Sequence, residues 1–550
     1  MSPLINPART MLAILALGSL ALPGSYAAVI RTMNGAGNNL AHPFWGAAET
    51  PFARLAPADY ADGVSQPRLL NRPNPRSVAV ALMRQTASRP NARQLSGYVY
   101  AFGNLISHDT QHTISSGTEL IPFRIPPEDD IFFPGQQVNV TRSLFDSSTG
   151  SGVDNPRQQT NFATSFLDAS VIYGSDDVSA SILRGGPAHP GAKLRTSDDI
   201  NGYGQNLLPR DAFGPRPTAP FVAGDERVND NVVLTAMQTL FMREHNRLVD
   251  DFASQHPDWN EEELYQHARR TVGAQLQAIT FNEFLPALLG PAAPSPTGNY
   301  DPTIDPSVFN EFPAVFLRIG HSMLTDTFKR VENDGSPASE GHLPLVDAFN
   351  NPAALSTSRH LDLFLKGLSV EVQEETDLRM VDGMRIALLD AIDIQRARDH
   401  GIADYNSLRA AYGLSPVTTF EQITGDPELQ AALQAVYGTV DDIDPFVGAL
   451  AEDLLPGASV GELVAAGYRV QFERLRDGDR FWYENDAAFS SDELASLRSL
   501  RLSDLVHRNS DVDGLQTNIF FAVPEPCSLG LLAIGIAGIL LNQDVRRLTP

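Results

Sequence analysis

The sequence predicts one large, mainly α-helical domain with long loops and little β-structure. Three observations lead there. Apolar residues recur at three- and four-residue spacing in several windows, strand-like alternation is scarce and short, and neither a repeat nor a long linker splits the body. The length of 550 residues would allow three or four domains at about 150 residues each, but nothing in the chain marks their boundaries. Hydrophobic residues at 42% against 19% charged supply a sizeable core and exclude a disordered chain.

Taken in order, the chain opens with Arg9, an apolar run from Met11 to Leu22, and Ser25-Tyr26-Ala27. That is the order of a secretory signal peptide, read over residues 1–27 with cleavage after Ala27; the run is shorter than the roughly 20 residues a helix needs to span a bilayer. Residues 28–522 form the predicted domain. Ile121–Gly152 and Pro291–Pro306, rich in turn formers, read as long surface loops. From Val233, the apolar positions Met237, Leu240, Phe241, Leu248 and Phe252 line one helix face. Glu261–Phe284, Leu355–Leu368 and Glu428–Val436 read as further helices. The last segment, residues 523–550, holds Val523-Pro524-Glu525-Pro526, an apolar run from Leu529 to Leu541, and Arg546-Arg547.

A net charge of −25 works against nucleic acid and anionic lipid as partners. The sole cysteine, Cys527, lies in the last segment, which excludes a disulfide framework, a cysteine zinc site and an iron–sulfur cluster.

Several local groups carry chemistry. His108 sits in Ser107-His108-Asp109 after an apolar stretch, and His321 in Ile319-Gly320-His321-Ser322, where the glycine permits close approach of backbone or a flat ligand. Each alone reads as a hydrogen-bonded core histidine. Arg227 lies in the polar run Gly224-Asp225-Glu226-Arg227, an ordinary charge cluster at a helix start. In Thr164-Ser165-Phe166-Leu167-Asp168-Ala169-Ser170, side-chain oxygens with an intervening carbonyl can converge on a hard cation, but calcium takes six to eight ligands and would need a carboxylate from elsewhere; judged alone, the loop reads as a turn with satisfied side chains.

Together, and in this order, these segments resemble the animal haem peroxidase (peroxidase–cyclooxygenase) superfamily over roughly residues 33 to 515. Gly35-Ala36-Gly37-Asn38-Asn39, Tyr60-Ala61-Asp62-Gly63, Arg243-Glu244-His245-Asn246-Arg247, Gln395-Arg396-Ala397-Arg398-Asp399-His400-Gly401 and Arg508-Asn509 extend the match. The final segment resembles the PEP-CTERM sorting tail of Gram-negative bacteria: a Pro-Glu-Pro box, an apolar helix and a basic stop. With the leader, it implies a secreted or cell-surface protein, with exopolysaccharide or surface matrix as a possible neighbour and membrane contact only through the tail before processing.

The superfamily resemblance implies the animal haem peroxidase-like fold, haem b and Ca²⁺ as cofactors, and hydrogen peroxide and a small reducing substrate as partners. It implies His108 as the distal histidine, Arg227 as the distal arginine, His321 as the iron ligand, and Arg318 and Arg396 as partners of the haem propionates. Asp109, Thr164, Phe166 (through its carbonyl), Asp168 and Ser170 take the places of calcium ligands. A neutral His108 can act as base and then acid on the peroxide while a cationic Arg227 stabilises the developing charge.

Four positions depart from the better-known members. Asp393 stands where the asparagine beside the iron ligand would be, and a carboxylate there gives His321 more imidazolate character. Ser107 replaces an ester-forming aspartate, so that haem link is expected to be absent. Asp230, one methylene shorter than the second ester-forming residue, leaves a covalent link open. Asn104 replaces the glutamine associated with halide, which favours small organic donors over halides. Two rival functions remain: a fatty-acid oxygenase, disfavoured because Arg318 occupies the position of its radical tyrosine, and a non-catalytic adhesion or matrix protein that keeps the fold.

Overall fold

Most of the longer helices start on a side-chain cap, and a computed structural model describes them within residues 30–523, apart from 71, 187, 199–204 and 212–217. The leader read over residues 1–27 and the tail beyond Val523 lie outside the described residues. From Arg31 on the chain is one unit with a continuous apolar core. Helix α1 (Pro75–Leu82) starts on Asn74, whose side chain accepts from the Arg76 and Ser77 amides. Helix α2 (Gly97–Thr110) starts on Ser96, and α3 (Val232–Gln255) on Asn231, which accepts from the Leu234 amide. Helix α4 (Glu261–Ile279) opens with a reciprocal capping box between Asn260 and Glu263, behind three glutamates that suit the positive end of the helix. Helix α5 (Ser358–Val370) is capped by Thr357.

Helices α2, α3 and α5 pack on one another, and α4 packs on α3. Helix α6 (Leu389–Asp399) lies against α1. Helices α7 (Pro427–Tyr437) and α8 (Glu462–Asp477) follow, with two shorter helices, Ser491–Ser499 and Leu502–Asn509, after them. Strands among the described residues are short antiparallel pairs: Thr50–Pro51 with Thr160–Asn161, Ser115–Leu120 with Thr141–Ser143, Phe123–Arg124 with Gln137–Val138, and Thr327–Phe328 with Leu343–Pro344. The mainly helical fold with little β-structure holds.

The helix read over Glu261–Phe284 holds: α4 runs on through a π-turn, Thr280–Phe284, into Leu285–Leu289 without interruption, the π-turn being a change of hydrogen-bond register that apolar periodicity does not encode. Two expectations need correction. The helix read from Leu355 begins at Ser358, after a 3₁₀ turn over Pro352–Leu355. Ile121–Gly152 is not surface loop throughout: Ile121, Phe123, Arg142 and Ser143 are buried, and the last two hold the end of α6.

Candidate functional site

Two clusters of polar side chains line the same cavity of about 650 Å³. The first hangs from the end of α2. His108 and Asp109 are successive residues in its last turn, so their side chains diverge by about 100° around the helix axis. His108 lines the cavity, whereas Asp109 turns toward the 164–171 segment. Burial, reinforced by the nearby Arg227 cation, holds the His108 pKa below the usual imidazole range. Its Nδ1 is buried and lies 3.6 Å from Asp225 Oδ1, beyond hydrogen-bond range.

Asp225 is the residue that sequence reasoning missed. It caps the 3₁₀ turn Glu226–Asn229, its carboxylate accepting from the Arg227 amide at 2.8 Å. The same carboxylate accepts from Arg227 Nε at 2.9 Å and Nη2 at 2.5 Å. Burial works to raise its pKa, but Arg227 and His108 outweigh that and hold it well below the usual carboxylate range. Arg227 Nη2 also donates to the Gln111 carbonyl at 2.7 Å, tying the arginine to the end of α2. An aspartate two residues before the arginine is the available signal, and by itself it is part of an ordinary charge cluster at a helix start.

The 164–171 segment supports both residues. Asp109 Oδ2 accepts from the Asp168 and Ala169 amides and Oδ1 from that of Val171. Asp225 reaches the same segment, its amide donating to the Val171 carbonyl at 3.1 Å. Gly224 approaches so closely that a Cβ there would fall 2.5 Å from the Ser170 carbonyl oxygen. Within the segment, Thr164 Oγ1 lies 2.9 Å from Asp168 Oδ1, and Ser170 Oγ lies 3.3 Å from Asp109 Oδ1. Phe166 is buried beneath the Arg31 guanidinium, 4.9 Å above its ring, which fixes the backbone there.

These oxygens fit a divalent cation. Burial raises the Asp109 pKa well above the usual range, with Asp168 adding to it, and burial also raises that of Asp168. Asp168 Oδ2 is buried without a hydrogen-bond partner. Two buried carboxylates and two hydroxyls, with no cationic side chain hydrogen-bonded to them among the described residues although Arg31 and Arg269 act on Asp168 through space, form a hard oxygen set of the kind calcium takes.

The second cluster joins α6 to the turns Phe316–Ile319 and Gly320–Met323. His321 Nδ1 lies 2.6 Å from Asp393 Oδ2, and Arg318 Nη1 lies 2.5 Å from Asp393 Oδ1. Burial works to raise the Asp393 pKa, but His321 and Arg318 outweigh it and lower it. With Nδ1 committed, Nε2 is the His321 nitrogen left for a metal, and His321 lines the cavity. Arg396 also lines it, its Nη1 donating to Thr141 O, Ser143 Oγ and Asp399 Oδ2, each at 3.0 Å. The cavity, a histidine nitrogen free for iron and two arginines for carboxylates fit haem.

Asp230, Ser107 and Asn104 line the same cavity. Burial raises the Asp230 pKa despite His108 and Arg227. Ser107 Oγ accepts from Gln111 Nε2 at 3.1 Å, and Asn104 Oδ1 from Asn231 Nδ2 at 3.1 Å. Two sequence motifs are scaffold. Arg243 to Arg247 ties α3 to its surroundings: Glu244 takes Arg247, Gln275 and Asn509, and His245 bonds Tyr173 and Ala192. After α6, Asp399 takes Arg142 at 2.6 Å and His400 bonds Ser143 and Asn310. Gly401, at φ +59°, leaves room for the Tyr60 ring, which a Cβ would meet at 2.6 Å.

The family model for animal haem peroxidase matches residues 30–520. Among curated relatives, the peroxidasin homolog of Mus musculus is 33% identical over 562 residues, covering 90% of this chain and 38% of that protein. Lactoperoxidase of Mesocricetus auratus is 32% identical over 548 residues, covering 89% of this chain and 77% of that one. The chain therefore spans well under half the length of the peroxidasins it matches. Among solved structures, peroxidase A of Dictyostelium discoideum has a TM-score of 0.80 at 29% identity, covering 90% of this chain and all of that one. A fatty acid α-dioxygenase of Arabidopsis thaliana reaches a TM-score of 0.74 at 19% identity over 90% of this chain and 86% of its own, a likeness of fold.

Proposed function

Because this chain belongs to the animal haem peroxidase family, and so is a haem peroxidase by class, we propose that it reduces hydrogen peroxide to water with electrons from small organic donors. The observation that carries the reading is the lining of one cavity by His108, Arg227 and the Asp393-bound His321. Bound haem supplies the redox-active iron at which the peroxide O–O bond is reduced. His321 would hold the iron through Nε2, and Arg318 and Arg396 would meet the propionates.

The chain's own groups handle the protons. His108, kept neutral by burial and Arg227, takes a proton from one peroxide oxygen and returns it to the other, so that water leaves. Asp225 is placed to receive Nδ1–H of that imidazole once the 3.6 Å gap closes, leaving Nε2 as the base. Arg227 donates to Asp225 and backbone carbonyls through Nε and Nη2, which leaves Nη1 for the developing negative charge. Calcium, held by Asp109, Asp168, Thr164, Ser170 and the Phe166 carbonyl, would keep the support of both residues in place. Ser107 carries no carboxyl for a haem ester, and Asp230 is the remaining candidate for one. Arg318 stands where a fatty-acid oxygenase needs a tyrosine and is bound to Asp393, which argues against that activity.

The two ends support export to a Gram-negative surface or matrix. Intact mass of the product released by such a host checks it: a start at residue 28 is expected, and retention of residues 1–27 would overturn it. Among the described residues no helix is long and apolar enough to cross a membrane. The activity is tested by stopped-flow absorption of the haem-loaded chain mixed with hydrogen peroxide. A rapid Soret change reversed by a phenol is expected; bound haem inert to peroxide would overturn the reading.

A further inference from the structure

Asp393 makes one contact more than a histidine partner needs. Its two oxygens are divided: Oδ2 faces His321 Nδ1 at 2.6 Å, and Oδ1 faces Arg318 Nη1 at 2.5 Å. The carboxylate itself is fully buried, while the Arg318 and His321 side chains that meet it are 24% and 22% exposed. Arg318 and His321 stand three residues apart on successive short turns, which brings both to the same carboxylate on α6. The neighbouring charges are committed elsewhere. Asp390, one turn earlier on α6, pairs with Arg76 at 2.7 Å, and Arg396, one turn later, pairs with Asp399 at 3.0 Å.

A carboxylate on the Nδ1–H of a metal-bound histidine draws that proton and enriches the other nitrogen, which strengthens its bond to the metal. The size of that effect depends on how much charge the carboxylate retains. A guanidinium in a short, charge-assisted contact with a buried carboxylate takes a large share of it. We propose that Arg318 is a positioning residue that sets the donor strength of His321: by holding Oδ1 of Asp393 it withholds charge from the His321 hydrogen bond and weakens the bond His321 makes to haem iron. This rests on the reading of His321 as the iron ligand. It differs from pairing with a propionate, which acts on the haem through space and does not require Asp393. A residue of the substrate-facing cavity thereby governs the iron from the other end of a two-oxygen bridge.

Resonance Raman spectroscopy of the ferrous, haem-loaded full chain reads the iron–histidine stretch directly, and redox titration reads the ferric/ferrous midpoint. Arg318→Met is expected to move the stretch to higher frequency and the midpoint to more negative potential. In an Asp393→Asn background the same substitution is expected to leave the stretch in place, because an amide has no charge to release. Arg318→Lys, which keeps the cation, should stay near the unaltered protein. If Arg318→Met does not retain haem, Arg318→Gln carries the same expectation in the same two backgrounds. A stretch unmoved by loss of the cation, or moved equally in both backgrounds, overturns the coupling and leaves Arg318 a propionate partner alone. Absence of any iron–histidine stretch in the unaltered protein overturns the His321 assignment and the coupling with it.

Discussion

The two clusters that line the cavity are held in opposite ways. His321 is fixed by a direct, short hydrogen bond to a buried carboxylate on α6, and that carboxylate is balanced by Arg318. His108 has no such bond: its Nδ1 is unpaired, and its position depends on Asp109 one residue on and on Asp225 3.6 Å away. Asp109 and Asp225 both lean on the 164–171 segment, where buried carboxyls with raised pKa values lie together. The histidine assigned to the iron is therefore complete in protein contacts alone. On the calcium reading proposed above, the histidine assigned to the peroxide would be complete only when a cation binds next door. Affinity for haem and competence toward peroxide should accordingly be separable.

His321→Ala should produce the largest change, loss of haem, seen as Soret absorbance per protein; full occupancy would remove the distinction between the clusters. His108→Ala should retain haem and lose turnover by about 10²- to 10⁴-fold, the usual worth of an acid–base group. Turnover at the unaltered rate would show that His108 is not that group. Asp225→Asn should cost on the order of 100-fold in the peroxide step, through misplacement of Arg227 and His108, with haem binding preserved. A variant reacting at full rate would return Asp225 to the status of a turn cap. Calcium removal should shift the haem spectrum and lower the melting temperature, and calcium at 100 times its Kd should restore about 2.7 kcal/mol of stability. If chelation leaves spectrum and melting unchanged, the 164–171 segment supports His108 without a cation.

How much of this was legible in the sequence depended on where each signal came from. Val233–Phe252 and Glu428–Val436 were read as helices and are helices, Val232–Gln255 and Pro427–Tyr437, because each has a periodic apolar face or a plain cap. Helix α2, which carries His108, was read only as an apolar stretch. It is buried on nearly all sides, so it lacks the polar face that periodicity detects. Helix α6 was invisible for the opposite reason: Asp390, Asp393, Arg398 and Asp399 look like a solvated face, yet all are buried against partners far away in sequence. Of the residues named for the site, His108, Arg227, Asp230, Arg318, His321 and Arg396 line one cavity, while Asp393 and the residues read as calcium ligands are not in its lining; an ordered set of motifs carries spacing that no single histidine carries. Asp225 escaped because its work is done through a contact 117 residues back along the chain, which no local pattern encodes.

The cluster around His321 has one weakness of its own, and it gives the smallest effect. Glu371, at the end of α5, is buried and accepts from Thr325, four residues beyond His321. Burial pushes its pKa up from 4.5 to about 7, against the pull of Thr325 and Lys329. The folded protein thus keeps a proton that the unfolded chain releases, so its stability falls as pH rises from about 4.5 to 7, by about 3 kcal/mol at most. Glu371→Gln keeps the shape and the hydrogen bond without the charge. Its melting temperature should match the unaltered protein near about pH 4 and exceed it progressively toward about pH 8. A constant difference across that range would mean that Glu371 ionises freely, and that the segment after His321 needs no proton to stay in place.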